Sequence, residues 1–101
     1  MNIPENARQY HYKGPLTSQH ALQVKEDLLN LAKETGTRVL VIDLTEVIEA
    51  DVVGVNALAM AHKALSEKGG YLLARCKKNG EVARMLHLTK FDRIISVQTT
   101  A

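Results

Sequence analysis

Four carboxylates, Asp43, Glu46, Glu49 and Asp51, crowd one short stretch of the chain. Such a set of oxygen donors suits a hard cation such as Mg²⁺, and the carboxyl end of a strand in an open α/β sheet is a common place to hold a ligand. The remaining equipment of an enzyme does not accompany them. No glycine-rich phosphate loop and no nucleophile with a paired base can be found, and His11, His20, His62 and His87 are scattered without metal-ligand spacing. Catalysis on a bound metal or small ligand is the weaker reading. No catalytic residue, metal ligand or cofactor is assigned. Cys76, the lone cysteine, ends an apolar run and reads as a quiet, partly buried thiol in a reducing compartment.

What positions the acidic stretch is legible from periodicity. Residues 38–44, RVLVIDL, are rich in β-branched side chains and apolar without alternation, as expected of a central strand covered on both faces. YLLARC at 71–76 and RIISV at 93–97 read as further strands, and RQYHYK, Arg8 to Lys13, as an edge strand closed by Gly14-Pro15. Between them lie helical patterns at Ser18–Glu34, Gly54–Lys68 and Glu81–Leu88. Thr17 or Ser18 is placed to cap the first helix, Asp51 the second, and Asn79 announces the third; Gly36 suits the left-handed residue after the first. In the first helix Ala21, Val24, Leu28 and Leu31 form the apolar stripe, with Leu22, Leu29 and Ala32 beside it.

The expected architecture is an α/β layer fold: a small, mostly parallel sheet of about four strands with three to four helices packed against it. Strand 38–44, helix 54–68 and strand 71–76 form one βαβ unit with parallel strands and a right-handed crossover. The 101 residues fit one domain with a core at about residues 8–97 and no need of a disulfide. No apolar run approaches the roughly 20 residues that cross a bilayer, and the polar start of the chain lacks the pattern of a secretion signal, so a cytoplasmic location without membrane insertion is expected. The net charge of +2 is spread among acids, and one Phe with three Tyr gives little material for stacking bases, which argues against nucleic acid.

Two segments resemble one family. DLTEVIEADVVGVNAL, Asp43 to Leu58, is similar to the stretch D-L-S-x-V-x-F-I-D-S-S-G-L-G-A-L of the sulphate-transporter and anti-sigma-factor-antagonist (STAS) domain. VARMLHLTKFDRIISV, Val82 to Val97, is similar to its V-x-R-x-L-x-L-T-G-L-D-x-I-x-x-V, and Gly69-Gly70 stands at its strand entrance. The likeness runs from about Gly14 to Val97 and implies that family's fold, usually with a further N-terminal strand. It also implies partner switching. In such members an anti-sigma factor, a serine kinase of histidine-kinase-like ATPase fold, binds the domain and phosphorylates a Ser or Thr at the start of the second helix. The added charge of about −1.5 to −2 then breaks the contact.

This chain departs from the pattern where the switch operates. Val52 stands at the first serine of the motif and Val53 at the phosphoacceptor, and valine cannot be esterified. Glu49 occupies a position that is often aromatic, Asn56 that of a second small glycine, and Lys90 that of the glycine after the last helix. The expectation is a non-catalytic protein-binding domain whose surface comprises Glu49, Asp51, Val52, Val53, Gly54, Val55 and Asn56, not released by phosphorylation at Val53. At most one of Val52 and Val53 is expected in the core, with Val55 on or near the same rim, and Gly54 serving close backbone approach or an unusual dihedral. Phosphate on Thr17, Ser18 or Thr45 is a lesser alternative, since turn and cap roles explain all three. Other partners consistent with the resemblance are the ATPase of a lipid-transporting permease and the stress-signalling scaffolds; homodimerisation is left open.

Overall fold

The computed structural model describes residues 7–101. Residues 1–6, where the resemblance would place a further strand, lie outside them. The order is β1 (Arg8–Lys13), α1 (Ser18–Ala32), β2 (Val39–Glu46), α2 (Val52–Ser66), β3 (Tyr71–Lys77), α3 (Glu81–Leu88), a 3-10 turn (Phe91–Arg93) and β4 (Ser96–Thr100). The strands form one sheet in the order β1-β2-β3-β4, every neighbouring pair parallel. The expected βαβ unit stands within it, as does the edge strand at Arg8–Lys13.

An unreversed strand order joined by helical crossovers of one hand carries all its helices on one face. Burial follows that rule. Leu40, Ile42 and Leu44 of β2 and Leu72, Ala74 and Cys76 of β3 meet Val24 and Leu28 of α1, Val55, Leu58, Ala61 and Leu65 of α2, and Val82 and Leu86 of α3 in one core. The opposite face holds a smaller cluster of Val39, Val41 and Leu73, with Ala7 and Tyr71 packed against it. Further along that face the register aligns His11, Asp43, Arg75 and Gln98 across the four strands. Two-sided burial of β2 explains why its apolar run does not alternate. Cys76 is fully buried, and burial pushes its thiol pKa up, which keeps it protonated and inert.

Several details differ from the sequence reading, among them the ends of α1 and α2, which run over Ser18–Ala32 and Val52–Ser66 in place of 18–34 and 54–68. β4 is not residues 93–97 but Ser96–Thr100: Lys90 adopts a left-handed conformation (φ 62°), the chain turns through Phe91–Arg93, and of the two isoleucines only Ile95 enters the core while Ile94 is exposed. Asn79 does not cap α3; it takes a left-handed turn position (φ 63°), and Gly80, which has no side chain to offer, stands at the cap. Leu22 does not flank the core but is exposed, because its helical neighbours Ser18, Gln19, Lys25 and Glu26 are all polar. Gly36 does adopt a positive φ, 87°, beyond the end of α1.

Candidate functional site

The turn that leads from β2 into α2 is fastened to the turn that leads from β1 into α1. Leu16 N–H donates to Glu49 C=O at 2.8 Å, and Asp51 N–H donates to Leu16 C=O at 3.1 Å. Leu16, completely buried, thus makes a one-residue parallel bridge with Ala50. Asp51 completes the joint: one carboxylate oxygen accepts from Gly54 N–H at 2.8 Å, the other from Ser18 N–H at 2.9 Å. One side chain therefore satisfies a free amide at the start of each of two helices. Thr17 has the backbone geometry of a cap but makes no side-chain cap bond; its hydroxyl lies 3.4 Å from His20 Nδ1 instead. Gly54 serves close approach: a Cβ there would lie 1.9 Å from the Leu16 carbonyl oxygen, and its dihedral is not the left-handed one.

Above this joint stand side chains with no hydrogen-bonding capacity. Ile48 is 86% exposed, Val52 54% and Val53 52%. Both valines face water, rather than one entering the core, because α2 begins at Val52. At about 100° per residue, positions 52 and 53 lie roughly 120° and 140° around the helix from the buried Leu58. Val55 is not on the rim. It is completely buried, one helical turn from Leu58, and supports the surface from beneath; Gly54 is buried as well. Glu49 and Asn56 are exposed, and Asp51 is half-buried with both oxygens already engaged.

The apolar surface extends beyond the stretch singled out from sequence. A groove of about 210 Å³ between α1 and α2 is lined by Ser18, Ala21, Leu22, Lys25, Val53, Asn56, Ala57 and Met60. Leu22 and Met60 are both exposed at its sides. Sequence reasoning missed these two and Ile48. For Leu22 and Met60 the signal was present, since each is an apolar residue on the polar side of its helix.

The acidic stretch does not gather into a metal centre. Asp43 accepts from both the amide and the hydroxyl of Thr45, at 2.9 and 2.7 Å, and these bonds hold its pKa below the usual carboxylate range. Glu46 pairs with His11 at 2.6 Å across the β1–β2 boundary. Among the described residues no three His, Cys, Asp or Glu side chains are grouped to hold a metal ion. A depression of about 410 Å³ lies where β1, β2 and β3 end, with Lys13, Glu46, Ile48, Lys77 and Glu81 on its walls. A strand order that never reverses has no switch point, the feature that opens a ligand crevice in doubly wound sheets.

A family model for the STAS domain matches residues 1–101. The chain belongs to the STAS domain family. Its fold is shared with solved members of two kinds. The crystal structure of an anti-sigma factor antagonist from Mycobacterium paratuberculosis superposes with a TM-score of 0.82 at 20% identity, over 98% of this chain and 82% of the other. A sulfate transporter family protein from Wolinella succinogenes gives 0.75 at 20% identity, over 96% and 80%. The SulP transporter STAS domain from Vibrio cholerae gives 0.72 at 16% identity, over 97% and 77%. At these identities the likeness is one of fold. Among the described residues of this STAS domain no helix is long and apolar enough to cross a membrane.

Proposed function

We propose that this STAS domain is a non-catalytic docking module, acting as an anti-sigma factor antagonist does and engaging its partner through the entrance of α2 and the adjoining α1–α2 groove. The observation that carries the reading is the combination at residues 48–53: Ile48, Val52 and Val53 are exposed on a turn that is fastened by the Glu49 carbonyl, the Asp51 backbone groups and both Asp51 carboxylate oxygens, all bonded within the fold. Such a turn is held in shape by the fold and offers mainly apolar contact, with Glu49 and Asn56 exposed at its edge. Covering the exposed parts of the three side chains contributes about 3–4 kcal/mol at the usual worth of buried apolar area. Micromolar affinity corresponds to about 8 kcal/mol beyond the cost of association, so the turn is not sufficient alone and the groove with Leu22 and Met60 belongs to the same interface.

The partner that best fits is an anti-sigma factor of histidine-kinase-like ATPase fold, and docking here is not released by phosphate at Val53. The test is affinity capture with wild-type, Val53→Ser and Val53→Asp proteins, followed by mass spectrometry for phosphate after incubation with the captured ATPase. Wild-type and Val53→Ser should retain the partner, Val53→Asp should lose it, and phosphate should appear on the Val53→Ser protein alone. Phosphate elsewhere on the wild-type turn that abolishes binding would sink the proposal. Recovery of a transporter ATPase with the same Val53→Asp sensitivity would keep the surface and reassign the role to a permease subunit.

A further inference from the structure

Among the described residues the sheet β1-β2-β3-β4 has two outer strands, and they are built differently. β1 opens on Arg8, closes on Lys13, and its register with β2 slips between His11 and Lys13. Charged flanks and an irregularity are devices by which an edge resists unwanted pairing. β4 has neither. It reads Ser-Val-Gln-Thr-Thr, without charge, proline or glycine, and pairs with β3 in unbroken register from Ser96 to Thr100.

The groups that β4 turns outward follow from those it turns inward. Lys78 N–H donates to Thr100 C=O at 2.7 Å, so the peptide groups of Thr100 face β3. Backbone groups alternate along a strand. Gln98 and Ser96 therefore also face β3, while Val97 and Thr99 direct their N–H and C=O groups away from the sheet. Among the described residues no strand pairs with them.

We propose that this edge joins two copies of the chain, β4 to β4, antiparallel about a two-fold axis at Gln98. The register is self-complementary. With Gln98 opposite its own copy, Val97 stands opposite Thr99 of the second chain. Both are outward-facing, and each such pair exchanges its N–H···O=C bonds in both directions. Ser96 then meets Thr100, hydroxyl to hydroxyl, and no like charges within the strand are brought together. Ile94, exposed directly before the strand, adds apolar surface beside the seam. A foreign extended segment would need side-chain pockets next to the edge to be recognised, and the principal depressions of the surface are lined by other elements. A second copy needs none, because symmetry supplies the register. The seam is two strands away from β2 and the α2 entrance, so pairing would present two docking surfaces at once.

Sedimentation velocity on the full chain, from about 1 to about 500 μM, tests this, since the upper end detects even a millimolar-scale association. A concentration-dependent dimer is expected. Gln98→Lys and Gln98→Glu, each alone, place like charges at the axis and should raise the dimer dissociation constant about tenfold or more, whereas mixing the two variants should restore a heterodimer. Thr99→Pro removes an outward N–H that the fold does not use. It should weaken the dimer similarly while leaving the thermal unfolding of the monomer near that of the wild type. A chain that stays monomeric throughout overturns the proposal, as does a dimer indifferent to the Gln98 substitutions; if Thr99→Pro fails to fold, the Gln98 pair decides.

Discussion

Replacing Asp51 by alanine should unfasten two helices at once. In the native structure its oxygens accept from Gly54 N–H at 2.8 Å and Ser18 N–H at 2.9 Å, amides that have no partner within their own helices. A capping side chain is worth about 1 kcal/mol. Losing both contacts costs about 2 kcal/mol, since the two bonds act on separate helices and the backbone bonds between Leu16 and the 49–51 turn remain. For a domain of this size about 2 kcal/mol corresponds to a fall in melting temperature of roughly 10 °C. Urea unfolding followed by far-UV circular dichroism measures it, with the midpoint moving and the slope unchanged. Asp51→Asn keeps one accepting oxygen and should lose about half as much. Thr17→Ala is the decisive control: Thr17 holds the cap position of α1 but makes no cap bond, so its loss should cost less than about 0.5 kcal/mol. If Asp51→Ala matched the wild type while Thr17→Ala destabilised, the shared-cap reasoning and the fixed turn built on it would both be wrong.

Three further outcomes are expected. Gly54→Ala should cost about 3 kcal/mol or more despite the better helix propensity of alanine, because the new methyl would sit 1.9 Å from the Leu16 carbonyl oxygen; a melting temperature at or above that of the wild type refutes it. Lys90→Gly should stabilise by about 1 kcal/mol, since Lys90 holds φ at 62° where glycine carries no penalty, and chemical unfolding would show the gain. Burial lowers the pKa of His62, whose Nδ1 accepts from Leu72 N–H at 3.2 Å. The unfolded chain therefore binds its proton first. That stability is complete above about pH 6.5 and declines as pH falls through the lower native value, a slope His62→Gln should flatten.

The parts of the fold legible in the sequence were those set by local pattern. β2 and β3 announce themselves by unbroken apolar runs, and α3 by its spacing and by Glu81 in the first turn. β4 was displaced because Ile94-Ile95 reads as strand to any local rule, whereas the left-handed Lys90 and the turn after it use those residues as anchor and rim. The dual role of Asp51 was half visible. Its bond to Gly54 spans three residues and follows from capping rules, but its bond to Ser18 spans 33 and exists only because the two turns are brought side by side by parallel pairing of β1 with β2. The rim was misjudged at Val55 for a related reason: where α2 begins, and hence which residues of its first turn face the sheet, depends on where Asp51 is held.

That same joint separates fold from docking at Val53. The helix start tolerates an acid in its first turn, where negative charge is favoured by about 0.3–1 kcal/mol, and Val53 is half exposed at the rim of the α1–α2 groove. Val53→Asp should accordingly fold as well as the wild type. Its charge would nevertheless stand beside Val52 and at the mouth of the Leu22–Met60 groove, in the middle of an otherwise apolar surface flanked by Glu49. Burying that charge against a partner without a counter-ion costs several kcal/mol, as much as the exposed side chains of the turn can contribute. If the proposed docking holds, a negative charge at position 53 should therefore oppose it, while the valine side chain carries no hydroxyl that could receive a phosphate.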